Sequence, residues 1–76
     1  MEKEVLRVLS EELPGVDLQS SDSLVDDGVL DSLAITTIIA SLTMEFGITI
    51  PYEEITEENF NSVKSMAKLV ERLKKN

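Results

Sequence analysis

The sequence predicts an all-α protein, a small antiparallel bundle of three main helices and one short helix, with a long loop between helices 1 and 2. Apolar residues recur at helical spacing in three separate segments. The one strand-like alternation covers residues 48–51 and is too short to build a sheet. Apolar residues make up 42% of the 76-residue chain, which is typical of one hydrophobic core, so we expect a single domain over residues 1–76.

The first predicted helix covers residues 2–13 and ends at Pro14-Gly15. Its apolar stripe consists of Val5, Leu6, Val8, Leu9 and Leu13. Residues 14–30 then lack a helical period, and Ser20 to Ser23 are turn-type residues, so only a short helical turn near residues 22–25 is expected, with Asp22 as its cap. A loop this long has to be pinned to the core. The expected anchors are Val16, Leu18, Leu24, Val25, Val29 and Leu30.

The second predicted helix runs from Ser32 to Phe46, with Asp31 as N-cap and Gly47 as the residue that ends it. Its core-facing stripe consists of Ile35, Ile38, Ile39, Leu42 and Phe46. A second line consists of Leu33, Thr37, Ala40 and Met44. This line either widens the buried face or forms a neutral strip where a partner docks, and Leu33 and Met44 are the members that we expect to be exposed.

The C-terminal third contains an extended connector at residues 48–51, which should bury Ile48 and Ile50. Residues 52–61 hold at most one helical turn, around residues 56–60, with Ile55 and Phe60 facing inward. The last helix begins after Ser62, its predicted cap. Its buried stripe is predicted to be Val63, Met66, Ala67, Val70 and Leu73.

The composition excludes several classes of enzyme. The chain has no histidine and no cysteine, which excludes a Cys–His or Ser–His nucleophile pair and an ordinary zinc site. Glycine-rich nucleotide-binding motifs are also missing, so we expect a protein that is not an enzyme. With no cysteine, no signal peptide at the N-terminus and no apolar run long enough to span a bilayer, a cytoplasmic location is expected.

The net charge of −8 is unevenly distributed. No lysine or arginine lies between Arg7 and Lys64, whereas twelve of the fifteen acidic residues do. Such a surface repels nucleic acid and anionic membranes and attracts basic protein partners. The alternative is that the acidic residues serve solubility alone.

A calcium site was tested against the spacing of the acidic loop. An EF-hand loop needs an acid at position 1, Gly at position 6 and Glu at position 12. Loops that start at Asp17 or at Asp22 do not meet these requirements. We therefore expect no specific metal site, with weak, non-specific divalent binding around Asp26, Asp27 and Asp31 left as an alternative. Asp26 and Asp27 are expected to be solvated loop residues rather than a catalytic pair.

The segment Asp31-Ser32-Leu33 lies where the polar loop meets the most apolar helix. Ser32 would be the first helical residue, with its hydroxyl near the positive end of the helix dipole, where a phosphate ester is favoured. An Asp-Ser pair is also an ordinary helix start, so this motif alone does not choose between the two interpretations.

Taken together, these motifs resemble the acyl carrier and peptidyl carrier family over nearly the whole chain. The resemblance depends on the acidic bundle, the long loop before Asp31-Ser32-Leu33, Phe46-Gly47-Ile48 with Ile50-Pro51 after it, and the Ser62-Val63 helix start. The segment DGVLDS at residues 27–32 is most similar to stand-alone carriers such as the D-alanyl carrier protein.

The resemblance implies that a phosphopantetheinyl transferase attaches 4′-phosphopantetheine from coenzyme A to Ser32. Acyl or aminoacyl groups would then travel as thioesters on that arm, loaded by a ligase and removed by downstream acyl-transfer enzymes. The carrier would be a substrate and shuttle, and we expect a monomer. The main alternative is an unmodified acidic helical adaptor that binds a partner through its neutral helix face, and a remoter one is a calcium-responsive helical domain.

One departure from the family concerns the second helix. Fatty-acid carriers usually place several acids there, but here Glu45 is its only charged residue. We therefore expect partners to make apolar contacts with this helix and charged contacts with the loop. The apolar contacts are predicted at Leu33, Ala40 and Met44, and the charged contacts at Asp26, Asp27 and Asp31.

Overall fold

Four α-helices and one 3₁₀ helix form the regular structure of residues 1–19 and 21–75, the part of the chain that this computed structural model describes. Helix α1 spans Glu2–Glu12 and α2 spans Ser32–Phe46. They are followed by the 3₁₀ helix at Tyr52–Glu54, by the short α3 at Glu57–Phe60 and by α4 at Val63–Lys74. The predicted all-α class, with three main helices, one short helix and a long loop after α1, is confirmed.

The core lies where α1 and α4 meet each other and α2. Helix α1 packs against both other long helices, and α4 also contacts α3. Apart from Phe60, Met66 and Ala67, the buried apolar side chains are valine, leucine or isoleucine. The predicted stripe of α4 omitted Leu69, which is fully buried. It is buried because neighbouring helices cover α4 on more than one side.

The loop between α1 and α2 has fewer core anchors than predicted. Leu18, Leu24 and Leu30 are buried, as expected, and Val25 is half-buried. Val16 and Val29 are exposed, so the prediction for these two valines was wrong. Each follows a glycine with positive φ, Gly15 or Gly28, where a turn directs the chain along the surface.

The helical turn expected at residues 22–25 is replaced by a hydrogen-bonded turn over residues 24–28. The Asp27 N–H donates to the Ser23 carbonyl at 2.7 Å, and the Gly28 N–H donates to the Val25 carbonyl at 3.1 Å. The hydroxyl of Ser21 accepts the Ser23 N–H at 3.0 Å. Ser21, rather than the predicted Asp22, therefore supports the start of this turn, while Ser20 lies outside the described residues.

The segment after α2 begins as predicted and then differs. Gly47 adopts φ +64° and donates its N–H to the Thr43 carbonyl at 3.0 Å, which ends α2. Ile48, Ile50 and Phe60 are buried, as expected. The 3₁₀ helix at Tyr52–Glu54 was not predicted, and because it turns the chain before Ile55, that side chain is exposed rather than inward-facing.

None of the helices in residues 1–19 and 21–75 combines the length and the apolar character that a membrane span requires.

Candidate functional site

Ser32 is the first residue of α2, and its side chain is exposed. Asp31 precedes it in an extended conformation, and the Asp31 carboxylate accepts the Ala34 N–H at 2.8 Å. The first-turn N–H groups of a helix lack acceptors within it and carry partial positive charge. The Ser32 hydroxyl therefore lies at an electropositive and accessible helix end.

The position of Ser32 is set by a buried residue two places earlier. Leu30 is 1% exposed, and its N–H donates to the Leu24 carbonyl at 3.0 Å. Leu24 is fully buried as well. The chain thus forms a small loop whose two ends are fixed in the core, and Ser32 emerges next to the second end.

Asn61 holds the other side of this loop and was missed by the sequence analysis. Its backbone carbonyl accepts the Leu24 N–H at 2.8 Å. Its side-chain oxygen accepts the N–H groups of Val25 at 2.9 Å and Asp26 at 3.2 Å. No local pattern signals these contacts, because the Asn61 side chain and its partners are separated by 35 or 36 residues.

The loop presents carboxylates close to the start of α2. Asp26, Asp27 and Asp31 are all exposed. Asp27 accepts a hydrogen bond from the Ser21 hydroxyl at 3.3 Å. A hydrogen bond with Asp26, together with the charge of that residue, raises the pKa of the Glu57 carboxyl on α3. The loop that leads to Ser32 therefore exposes three carboxylates.

The second line of α2 is exposed, so it does not widen the buried face, and its use as a docking strip stays a prediction. Leu33 is 76% exposed and Met44 is 85% exposed, and Thr37 and Ala40 between them are exposed too. The Thr37 hydroxyl donates to the Leu33 carbonyl at 3.1 Å, so its one hydrogen is directed toward the helix itself. The line forms an uncharged strip that begins beside Ser32.

Several features fit a phosphate ester at this position. Among the described residues the Ser32 hydroxyl has no hydrogen-bond partner. A Cβ atom built on Gly28 would meet nothing within 4 Å, which indicates open space along the loop. Within residues 1–19 and 21–75 no group of three acidic side chains is arranged to hold a metal ion. The arrangement suits an acceptor hydroxyl.

One surface cavity lies apart from Ser32. It has a volume of about 540 Å³ and opens between α3 and α4. Its lining consists of Glu58, Asn59, Ser65, Lys68, Glu71, Arg72 and Lys75, so none of the predicted site residues borders it.

Comparison with known families shows that residues 3–70 match the family described as "Phosphopantetheine attachment site". Three curated relatives match most of the chain. Aminoacyl carrier protein 2 of Bradyrhizobium diazoefficiens is 35% identical over 66 residues, which cover 87% of this chain and 73% of the relative. Aminoacyl carrier protein 1 of the same organism is 35% identical over 68 residues, with coverages of 90% and 74%.

The third relative is the D-alanyl carrier protein of Lactobacillus acidophilus. It is 32% identical over 71 residues, which cover 91% of this chain and 89% of the relative. Among solved structures, none matches this chain.

Proposed function

We propose that Ser32 is the residue that carries the cofactor in this chain, which belongs to the phosphopantetheine attachment site family. The cofactor of this family is 4′-phosphopantetheine, and the function is that of a carrier protein. The observation that supports Ser32 is its exposed hydroxyl at the N-terminus of α2, directly after the Asp31 cap. A phosphodiester at this point is favoured by the helix dipole and the first-turn N–H groups.

A comparison with Ser62 supports this choice. Ser62 also precedes a helix, but it is buried, and its hydroxyl oxygen accepts the Ser65 N–H at 3.0 Å. Ser41 is half-buried on α2, and its hydroxyl donates to the Glu12 carboxylate at 2.7 Å. Ser32 combines exposure, a helix start and an uncommitted hydroxyl.

Attachment requires a transfer of phosphorus to the Ser32 oxygen. In this step the oxygen attacks the pyrophosphate phosphorus of coenzyme A that bears the pantetheine group. A new oxygen–phosphorus bond forms, the bridging pyrophosphate bond breaks, and 3′,5′-adenosine diphosphate leaves. The hydroxyl proton passes to a base of the transferase. We therefore infer that the carrier is a substrate and not an enzyme.

The attached group supplies a terminal thiol to which cargo is bound as a thioester. We propose an aminoacyl cargo, because the three relatives are named aminoacyl or D-alanyl carrier proteins. A thiol must stay reduced to be loaded, so we place this activity in the cytoplasm.

The partners that we propose are a phosphopantetheinyl transferase, a ligase that loads the aminoacyl group and an enzyme that removes it. Each would contact a monomeric carrier around Ser32. The contacts would be charged at Asp26, Asp27 and Asp31 and apolar at Leu33, Ala40 and Met44. Such contacts should be small, because a shared carrier has to leave each enzyme quickly.

The experiment is an intact-mass measurement after incubation with coenzyme A and a broad-specificity phosphopantetheinyl transferase. The wild-type chain should gain one phosphopantetheine, and Ser32→Ala should gain none. Ser41→Ala is the matched control, since it also removes a hydroxyl from α2, and it should be modified. An unmodified wild-type chain would instead favour an adaptor that acts through its uncharged helix face.

A further inference from the structure

The junction between α3 and α4 is hydrogen-bonded to the loop that leads into α2, and the side chain of Asn61 makes most of these hydrogen bonds. We infer that Asn61 is a positioning residue for the attachment reaction, because it fixes residues 24–26 and thereby the place from which Ser32 is presented. This inference rests on the proposed attachment at Ser32.

The contacts of Asn61 use every polar group that its side chain offers. The side-chain oxygen accepts two backbone hydrogen bonds, from Val25 at 2.9 Å and from Asp26 at 3.2 Å. The side-chain nitrogen donates to the Asp26 carboxylate at 3.4 Å. The backbone carbonyl accepts the Leu24 N–H at 2.8 Å. An amide side chain can accept and donate in this way without adding charge.

Asn61 is itself held in place by its neighbours along the chain. Phe60 is fully buried at the end of α3. Ser62 caps α4 through its hydrogen bond with the Ser65 N–H. The amide therefore projects from a short segment between two buried points, so it can act as a rigid support for the loop.

The support reaches Ser32 through the loop and not through direct contact. Leu24, whose N–H is bound by Asn61, accepts the Leu30 N–H at 3.0 Å. Leu30 is separated from Ser32 only by Asp31, the cap of α2. Removal of the amide leaves the N–H groups of Val25 and Asp26 without their acceptor and frees the exposed part of the loop. The backbone hydrogen bond from Leu24 to Asn61 remains, so the loop before α2 stays attached at Leu24 but is held less firmly at Val25 and Asp26.

The test measures steady-state transfer of phosphopantetheine from coenzyme A to purified carrier variants. Asn61→Ala should lower kcat/KM by about tenfold, below the roughly 100-fold loss that a 1 Å displacement of a reacting group can cause. The loss should appear mainly in kcat, because the exposed α2 strip is unchanged. In the same variant, hydrogen exchange at the amides of Val25, Asp26 and Leu30 should become faster.

Asn59→Ala is the matched control. Asn59 is also an asparagine at the end of α3, and its side chain donates to the Glu54 carbonyl at 2.7 Å, but it does not hold the loop before α2. This variant should lose some thermal stability and keep the wild-type kcat. If it slows transfer as much as Asn61→Ala does, general destabilisation explains the effect and the positioning role is overturned.

A swapped pair tests the amide–carboxylate contact. Asn61→Asp keeps the acceptor for the two backbone N–H groups but places a second carboxylate beside Asp26, and it should slow transfer. Adding Asp26→Asn restores an amide facing a carboxylate, so the double variant should return to the rate of Asp26→Asn alone. The single Asp26→Asn variant is the reference because Asp26 also belongs to the proposed partner surface.

The outcomes separate this inference from the proposed function. A wild-type chain that gains no mass, or a Ser32→Ala chain that does gain mass, overturns attachment at Ser32 and the positioning role with it. If Ser32 is modified and Asn61→Ala reacts at the wild-type rate, only the positioning role is overturned. A change confined to KM, or the absence of rescue in the double variant, overturns it as well.

Discussion

The guanidinium of Arg7 lies 2.7 Å from the carboxylate of Glu45, and this ion pair joins α1 to the C-terminal end of α2. Glu45 is the only charged residue of α2, and Arg7 is the only basic residue between Lys3 and Lys64. The hydrogen bond with Glu45 and its negative charge raise the pKa of Arg7. Arg7 also pairs with Glu11 at 3.2 Å, so the two carboxylates share one counter-ion. The exposed strip beside Ser32 itself carries no charged side chain.

Because the exposed strip of α2 has no charged side chain, a charged substitution on it should affect the reaction with partner enzymes. Met44→Glu places an unbalanced carboxylate on the strip and should slow modification and loading, since burying a charge at an apolar contact is costly. Its thermal midpoint should stay close to that of the wild type, because Met44 is 85% exposed. The measurement is the transfer rate of each variant at matched ionic strength.

Met44→Gln is the control for the strip, since it has a similar size and no charge. It should react faster than Met44→Glu. Equal rates for Met44→Glu and the wild-type chain would show that partners do not use this part of α2.

The cap of α2 predicts a stability effect at the site itself. Asp31→Ala removes the acceptor of the Ala34 N–H and should destabilise the fold by about 1 kcal/mol. For a domain of this size, that corresponds to a thermal midpoint lower by roughly 4–8 °C. Calorimetry checks this value.

Asp31→Asn separates capping from charge. Asparagine caps helices about as well as aspartate, so the midpoint should stay near that of the wild type. Any fall in transfer rate in this variant then reports the lost charge. A large loss of stability in Asp31→Asn would contradict the capping role.

Leu30 and Leu33 lie three residues apart, but their alanine variants should differ in the free energy of unfolding. Leu30→Ala removes a side chain that is 1% exposed and should cost about 2–5 kcal/mol in the free energy of unfolding. Leu33→Ala changes an exposed side chain and should stay within about 0.5 kcal/mol of the wild type. Denaturant unfolding of both variants measures the difference, and similar costs would mean that the start of α2 is rotated.

The pair of Glu57 and Asp26 predicts a dependence on pH. Its hydrogen bond with Asp26, followed by the charge of that residue, raises the pKa of Glu57 in the folded state. The folded chain then holds this proton more tightly than the unfolded chain. The stabilising contribution is present below the unfolded pKa of Glu57 and is lost as pH rises through the folded pKa.

Glu57→Gln should therefore be more stable than the wild type at pH 7, because the two carboxylates no longer repel each other and the amide can donate to Asp26. The advantage should shrink as the pH falls to about 4, where a glutamate of ordinary pKa becomes protonated. Thermal melts across this range test the prediction. Glu58→Gln, at the next position of α3, controls for the removal of one negative charge, and an equal gain there would contradict a specific pair.

The features that the sequence predicted correctly depend on residues close together in the chain. Asp31 and Ala34 are three residues apart, as are Ser62 and Ser65, so the starts of α2 and α4 are visible in local patterns. The exposure of Leu33 and Met44 was expected because their line lies away from the isoleucine face of the same helix. Residue identity and helical period determine these features before any tertiary contact forms.

The sequence by itself therefore determined the four α-helices, the Asp31 cap and the place of Ser32 at the start of α2. Tertiary structure decided which valines of the loop are exposed, that Asn61 holds Val25 across 36 residues, and that Arg7 pairs with Glu45 across 38. The physical reason is that helical period and capping act within a few residues, whereas these contacts exist only after packing brings distant segments together.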